Sequence, residues 1–168
     1  MTEVAKKTLA NRAEVLEGLP EHPAVKALLG WNAEGLLDAR WDRGELTLMI
    51  APSDIVPALT ALRGAGYTAF EDMTAVDWFP SEPRFQLSYH ILSHGYKERV
   101  RLRAMVSGDE PAVDSATVVW PGANYYEREV FDLFGVRFEG HPNLRRILMP
   151  DDWAGHPLRK DYPVEGYR

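Results

Sequence analysis

Three groups of side chains in this sequence could carry chemistry, and the first group is acidic. Glu127, Glu129 and Asp132 fall on one short predicted helix. Paired carboxylates can act as general acid and base when their surroundings separate their pKa values. A structural use is simpler, because Glu127 follows Asn124 at the spacing of a capping box. Arg128 also reaches Asp132 at a spacing of i,i+4, so the pattern favours structural carboxylates over a catalytic pair.

The second group could bind a metal ion. His141 and His156, with Asp151 and Asp152, offer the imidazole and carboxylate ligands that divalent metals accept. Each histidine precedes a proline in an irregular segment, and no spacing of the HExxH type places the two on one helix face. A turn or a partner contact is therefore the favoured role. A stand-alone metal-dependent enzyme built on these four residues stays as a remote alternative.

The third group is basic and lies on a predicted strand. Lys97, Arg99, Arg101 and Arg103 alternate with apolar residues, so one face of the strand is apolar and the other is basic. Four like charges on one face repel each other unless something offsets them. Two interpretations stay open. The face is either solvated and deters edge pairing, or it docks an acidic partner or anionic headgroups.

The end of the chain has no hydrophobic period. Glycine and proline interrupt residues 136–168, yet the segment keeps many apolar side chains. It is too long for an ordinary loop and too apolar for a solvated linker. We expect an extended arm that packs on its own domain or on another protein, because an arm of this composition cannot satisfy itself in isolation. Arginine and tryptophan are enriched in interfaces, so the predicted partner contacts are Arg145, Arg146, Trp153, Arg159 and Lys160.

Hydrophobic periodicity defines the elements that must position these groups. Helical spacing predicts helices over 4–19, from Pro23 with Gly30 just past the end, over 54–63 with Asp54 as its cap, and over 124–134. Alternation predicts strands over 34–41, 45–51, 69–79, 85–91 and 97–104. The sequence thus predicts an α+β fold, a two-layer sandwich of a mostly antiparallel sheet with helices. The domain spans residues 1–135, with N-terminal helices over 4–29 and the sheet and remaining helices over 34–135, and the irregular arm spans 136–168.

Composition excludes several classes of protein. The chain has 168 residues, a formal net charge of -6 and no cysteine. The negative charge argues against nucleic-acid binding. Without cysteine the chain has no disulfide, no thiolate zinc site and no thiolate-held iron–sulfur cluster. No apolar run is long enough to span a bilayer, and no phosphate-binding or nucleophile motif occurs. Catalysis by this chain alone is therefore poorly supported.

Residues 125–163 resemble the family of the 30 kDa subunit, or C-type subunit, of respiratory complex I. The signature is an E-R-E triplet followed by an acid, two apolar residues, a histidine and then basic and aliphatic residues. It is carried here by Glu127, Arg128, Glu129, Asp132, Leu133, Phe134, His141, Arg145, Ile147 and Leu148. The stretch 73–78 also resembles the family's strand around a T-A-V-D core.

The resemblance implies a hydrophilic, cofactor-free subunit in the peripheral arm of a proton-translocating NADH:quinone oxidoreductase. Such a protein contributes no catalytic, cofactor-binding or metal-binding residue, and flavin and iron–sulfur clusters belong to its partners. The implied partners are the quinone-site subunit of the 49 kDa or D type, the subunit with the terminal iron–sulfur cluster, and other peripheral-arm subunits. The complex would hold the chain at the cytoplasmic face of the inner membrane.

The electron donor stays open on sequence grounds. Membrane-bound hydrogenases and ferredoxin- or F420-dependent dehydrogenases use a similar subunit, so an equivalent role in one of those complexes is the main alternative. The resemblance also leaves the quinone type and the coupled ion undetermined.

Overall fold

Helices and strands follow one another much as the changes in hydrophobic period predict. The computed structural model describes residues 8–166. Its helices are α1 (Arg12–Gly18), α2 (Pro23–Asn32), α3 (Ile55–Gly64) and α4 (Ala123–Phe134). Its strands are β1 (Leu36–Asp42), β2 (Glu45–Ile50), β3 (Ala69–Asp77), β4 (Phe85–Ser93), β5 (Glu98–Val106), β6 (Ala112–Asp114) and β7 (Arg137–Glu139). Short 3-10 turns at Pro52–Asp54 and Ala116–Val118 precede α3 and α4.

Five strands form the main sheet in the order β1-β2-β5-β4-β3. Neighbouring strands are antiparallel except β2 and β5, which run parallel. The alternation in β4 places Phe85, Leu87, Tyr89 and Ile91 in the core with the buried residues of the helices. The helices therefore cover one face of the sheet, and the predicted α+β sandwich with a mostly antiparallel sheet is confirmed.

The N-terminal helices differ from the prediction. Helix α1 begins only at Arg12, because Leu9 is extended and pairs with Trp41 through two backbone hydrogen bonds of 2.8 and 2.9 Å. The predicted helical residues 4–7 lie outside the described part of the chain. Helix α2 begins at Pro23 as predicted but includes Gly30 and ends at Asn32. Asp54 occupies the N-cap of α3 without a side-chain cap bond.

The chain beyond Gly135 first adds to the domain. Gly135 ends α4 in the left-handed conformation, with φ of 75°. Strand β7 then pairs in parallel with β6, and Val136 before it and Phe138 within it lie buried in the core. The structured domain therefore extends beyond the predicted boundary at residue 135. Residues 140–166, which we call the arm, contain turns but no helix or strand.

Within residues 8–166, no helix combines the length and the apolar composition that crossing a bilayer requires.

Candidate functional site: the docking of the arm

The arm is held to the domain by Asp132, which is fully buried on α4. Its Oδ2 accepts hydrogen bonds from the backbone N–H groups of Ile147, Leu148 and Met149, at 3.0, 2.8 and 2.8 Å. Its Oδ1 accepts one from Nη1 of Arg146 at 2.6 Å. Burial alone would raise the pKa of Asp132, but these hydrogen bonds outweigh it and lower the pKa. The carboxylate is therefore fixed in its charged form by the arm.

The predicted pairing of Arg128 with Asp132 is wrong. Arg128 donates instead to the backbone carbonyls of Arg145 and Arg146, at 3.2 and 3.0 Å. A buried carboxylate gains more from several backbone N–H donors than from one partly exposed guanidinium on its own helix. Both signature residues therefore hold the arm rather than each other.

The arm also satisfies the C-terminal end of α4, whose last carbonyls have no partner within the helix. The carbonyl of Asp132 accepts from Arg146 at 3.1 Å and lies 2.9 Å from Nδ1 of His156. The carbonyl of Leu133 accepts from the N–H of Leu158 at 3.0 Å, and that of Phe134 from Nε of Arg159 at 2.6 Å.

Glycine is required where the arm crosses the end of α4. A Cβ atom on Gly135 would lie 2.5 Å from the His156 ring and 2.7 Å from the Arg159 guanidinium. The residue also has a positive φ, which disfavours other residue types. Helix termination and close passage of the arm therefore depend on the same residue.

Arg146 organises the arm itself. Besides Asp132, its guanidinium donates to the backbone carbonyls of Trp153 and Gly155, at 2.9 and 3.0 Å. One side chain thus closes the turn between residues 146 and 155. The described hydrogen bonds of Arg146 are all within this chain, and partner contact by Arg146 remains a prediction.

The far end of the arm is fixed by a second buried charge pair that sequence reasoning did not identify. Arg84 donates to both carboxylate oxygens of Asp77, at 2.9 and 2.8 Å, and to both of Asp161, at 3.0 and 2.6 Å. The N–H of Lys160 donates to Asp77 at 2.8 Å. Burial would raise the pKa of Asp77, but the hydrogen bonds from Arg84, Lys160 and Phe79 lower it to about 2.

No local sequence signal predicts the contacts of Arg84 with Asp77 and Asp161. Arg84 lies between a proline-rich turn and the apolar strand β4, and Asp161 lies 77 residues further along the chain. Asp77 is within the T-A-V-D stretch that resembles the family, and that stretch is the one signal that points to it. The Arg84 guanidinium also stacks between the rings of Phe79 and Phe85, with its central carbon 4.9 and 5.0 Å from the ring centroids.

Glu127 is buried and does not complete the predicted capping box. Helix α4 starts at Ala123, so Asn124 is inside the helix, and Gly122 is the N-cap without a side-chain bond. The Glu127 carboxylate accepts instead from the Ser115 hydroxyl and the Ala116 N–H, both at 2.6 Å. Burial raises the pKa of Glu127 to about 7, although these two hydrogen bonds oppose the shift.

His141 lies beside Glu127 with its Nε2 3.9 Å from the carboxylate. Its Nδ1 accepts from the Asn143 N–H at 3.0 Å, and its Nε2 lies 3.3 Å from the Asn124 carbonyl. Burial, opposed by that carbonyl, lowers the pKa of His141 and favours the neutral ring. His141 therefore connects the start of the arm to the start of α4.

The four residues of the metal alternative are not assembled into a site. His141 and His156 are engaged with different parts of α4, and Asp151 and Asp152 are exposed. Among residues 8–166, no three histidine or acidic side chains are arranged to hold a metal ion.

The outer surface of the arm exposes several large apolar side chains among its charged ones. Its inward polar groups are bound by the domain, which agrees with the expectation that the arm packs on its own domain or on another protein. The exposed large apolar side chains of the arm include Ile147, Leu148, Trp153 and Leu158, with exposed fractions of 36%, 61%, 38% and 51%. Of the cations in the predicted contact set, Arg145 and Lys160 are exposed, whereas Arg159 is partly buried.

The predicted basic strand face is not uniform. Lys97 is in the turn before β5, with a positive φ of 56°, and so is not on the strand. Arg99 pairs with Glu71 at 2.5 Å, and Arg101 pairs with Glu45 at 2.7 Å. Arg103 has no hydrogen-bond or ion-pair partner within residues 8–166, and its Nε is buried.

Comparison with known sequences gives a consistent result. Residues 48–168 match the family described as "Respiratory-chain NADH dehydrogenase, 30 Kd subunit". The C-type subunit of the NADH-quinone oxidoreductase of Citrifermentans bemidjiense is 46% identical over 144 residues, covering 85% of this chain and 89% of that protein. The same subunit from Roseiflexus castenholzii is 47% identical over 148 residues, covering 86% of this chain and 85% of that protein.

Solved structures share the fold. A trypsin-resistant fragment of Nqo5 superposes with a TM-score of 0.64 and 27% identity, covering 73% of this chain and 99% of the fragment. A chain of the membrane-bound sulfane sulfur reductase, an archaeal respiratory membrane complex, superposes with a TM-score of 0.73 and 25% identity. That match covers 83% of this chain and 82% of the other.

Proposed function

The chain belongs to the 30 kDa subunit family of respiratory-chain NADH dehydrogenases, and from that premise we propose that it braces neighbouring subunits in the peripheral arm of a proton-translocating NADH:quinone oxidoreductase. In this proposal the chain supplies no catalytic group and holds no flavin, iron–sulfur cluster or metal. Those cofactors belong to its neighbours. The chain sits at the cytoplasmic face of the inner membrane because the complex holds it there.

The observation that carries the proposal is the arm. The buried carboxylates of Asp132 and Asp77 fix the arm's backbone, whereas Leu148, Trp153 and Leu158 point outward. A fixed backbone with outward apolar side chains lowers the entropy lost on binding. Such a surface suits a stable protein contact, because large exposed apolar patches mark interaction sites. The proposed partners are the quinone-site subunit and the subunit that carries the terminal iron–sulfur cluster.

A second candidate is the equivalent role in a related respiratory complex. The observation that favours it is the superposition on a chain of the sulfane sulfur reductase complex, with a TM-score of 0.73. In that case the bracing role is the same and the electron donor differs. Reduction of the purified complex by NADH, compared with ferredoxin or reduced F420, separates the two candidates.

The test is retention of the chain in the complex. A tagged chain is purified from gently solubilised membranes, and flavin and iron–sulfur spectra are recorded on the eluate. Because the chain has no cysteine, iron–sulfur signals belong to partners. We expect both signals with the wild-type chain and their loss with Leu148→Glu, which places a charge on the arm's apolar surface.

Val118→Glu is the matched control. Val118 is 69% exposed, comparable with 61% for Leu148, but lies in the 3-10 turn before α4. It should leave retention unchanged. Equal retention of wild type, Leu148→Glu and Val118→Glu would contradict the role of the arm, and a wild-type chain that elutes alone would contradict the proposed function.

A further inference from the structure

The sheet face turned away from the helices contains a hollow between β1, β2 and β5. Its volume is about 200 Å³, and its walls include Arg40, Thr47, Met49 and Arg103. A second hollow of about 260 Å³ adjoins it and shares Arg40, Thr47 and Arg103. We call this surface the arginine groove and define it by Arg40, Thr47, Met49, Arg101 and Arg103. It reaches from the edge strand β1 to the central strand β5.

The cations of the groove are unequally compensated. Arg101 is saturated by Glu45 at 2.7 Å, Thr47 at 3.2 Å and His90 at 2.8 Å. Arg40 has one exposed contact, with Asp42 at 3.4 Å. Arg103 has no partner among residues 8–166. Burial lowers the pKa of Arg103, and the charges of Arg101 and Arg40 lower it further.

The acids at the groove are already engaged. Asp38 accepts from the N–H groups of Arg12 and Ala39, at 2.9 and 2.8 Å. Asp42 accepts from Thr8 at 3.2 Å, and Glu45 is bound by Arg101. The carboxylates that line the groove are therefore directed at other groups, and no acid among residues 8–166 compensates the charge of Arg103. A partly desolvated cation without a partner destabilises the isolated chain.

We propose that the arginine groove binds an aspartate or glutamate side chain on an acidic segment of another subunit of the complex. A guanidinium presents paired N–H donors that match a carboxylate. A polypeptide fits the site better than a small anion, because the same sheet face also exposes apolar side chains. That face offers flanking contacts from Met49 and from Val76, which is 38% exposed. The inference rests on the proposed function, since it requires a neighbouring subunit.

The experiment measures how fast the tagged chain exchanges out of the purified complex in the presence of excess untagged chain. Arg103→Met should increase the exchange rate roughly thirtyfold or more, because losing one partner of a desolvated charge pair accelerates dissociation. The wild-type rate should rise with salt concentration, and the variant should lose much of that dependence. Arg103→Lys, which keeps the charge but not the paired donors, should be intermediate.

Arg99→Met is the matched control. Arg99 lies on the same strand and the same face, but Glu71 compensates it outside the groove. Its exchange rate should stay near that of wild type. Equal rates for Arg103→Met and wild type would overturn the groove inference. The proposed function would survive that result if Leu148→Glu still releases the chain, so the two failures are distinguishable.

Two additional measurements distinguish the acidic partner from two other possible occupants of the groove. If vesicles of anionic phosphatidylglycerol bind the wild-type chain but not Arg103→Met, the occupant is a lipid headgroup and the inference is wrong. If a chain lacking residues 1–7, which include Glu3, exchanges as fast as Arg103→Met, the occupant is the chain's own N-terminal segment. Normal exchange by that truncated chain and no vesicle binding would support the acidic partner.

Discussion

Arginine serves two opposite purposes in the arm and in the arginine groove. Arg84 and Arg146 each donate four hydrogen bonds to carboxylates and carbonyls of their own chain. Arg103 donates none within the described residues. Arg84 and Arg146 together fix the arm on the domain. Arg103 lies in the arginine groove, where no carboxylate among residues 8–166 binds it.

The difference separates folding from assembly. Desolvating a guanidinium is unfavourable unless its donors are matched, so arginines that stabilise the fold should be saturated within it. An arginine that is half-buried and unmatched marks a surface where another molecule completes the match. The outward apolar side chains of the arm likewise mark a surface that another molecule covers.

The largest expected effect on stability comes from replacing Arg84, whose guanidinium donates four hydrogen bonds within the chain. Arg84→Met leaves Asp77 buried without its cation and releases Asp161, so the free energy of unfolding should fall by about 3–5 kcal/mol. Urea denaturation measures the change. Asp161→Asn is the control and should cost less, because the Asp161 side chain is 42% exposed. A loss below about 1 kcal/mol for Arg84→Met would contradict the assignment.

Asp132→Asn should cause the next largest loss of unfolding free energy. The neutral amide keeps the shape but weakens the hydrogen bonds from three backbone N–H groups and from Arg146, which should cost about 3 kcal/mol. The arm should also become sensitive to trypsin at Arg145 and Arg146. Glu129→Gln, an exposed neighbour on the same helix, is the control and should change neither stability nor cleavage. An arm that stays resistant in Asp132→Asn would disprove its anchoring role.

The pH dependence of stability tests the contrast between two buried carboxylates, because the pKa of Glu127 is raised whereas that of Asp132 is lowered. Its pKa is raised by burial from 4.5 to about 7, so the folded state favours the protonated carboxyl. The associated stability is complete below about pH 4.5 and is lost as pH rises through about 7. The loss should be on the order of 3 kcal/mol. Glu127→Gln should flatten this part of the stability curve, whereas an unchanged slope would show that another group is responsible.

The smallest effect is expected at the unsaturated arginine. Arg103→Met removes a partly buried charge that no residue among 8–166 matches, so the purified full chain should gain about 0.5–1 kcal/mol of unfolding free energy. Thermal unfolding of the chain outside the complex measures this. Arg101→Met should instead lose stability, because it leaves Glu45 and His90 without their donor. If Arg103→Met is clearly destabilising, the residue belongs to the fold and not to an interface.

The sequence predicts the sheet well and the contacts of the arm poorly. Strict alternation in β4 and β5 identifies the buried face of the sheet, because a side-chain period of two has one solution once one face is apolar. Arg128 and Asp132 look like a complete local pair, yet each binds the arm. The reason is the burial of Asp132, because a buried carboxylate favours several backbone N–H donors, and the spacing of residues along a helix does not reveal those donors.

The N-terminal region and the far end of the arm show the same limit. Leu9 fits a helical stripe, but pairing with Trp41 extends it instead. The contact between Arg84 and Asp161 joins residues 77 positions apart, and neither belongs to a periodic segment. The family resemblance identifies the signature residues, and the structure shows what Asp132, Arg128 and His141 touch.

The central claim is that the unmatched surfaces of this chain, the outer side of the arm and the arginine groove, are covered by neighbouring subunits. Hydroxyl-radical footprinting of the full chain, free and within the purified complex, tests it most directly. Trp153 on the arm and Met49 in the groove should be labelled in the free chain and protected in the complex, with buried Tyr89 unlabelled in both. Equal labelling of Trp153 and Met49 in the two states would contradict the claim.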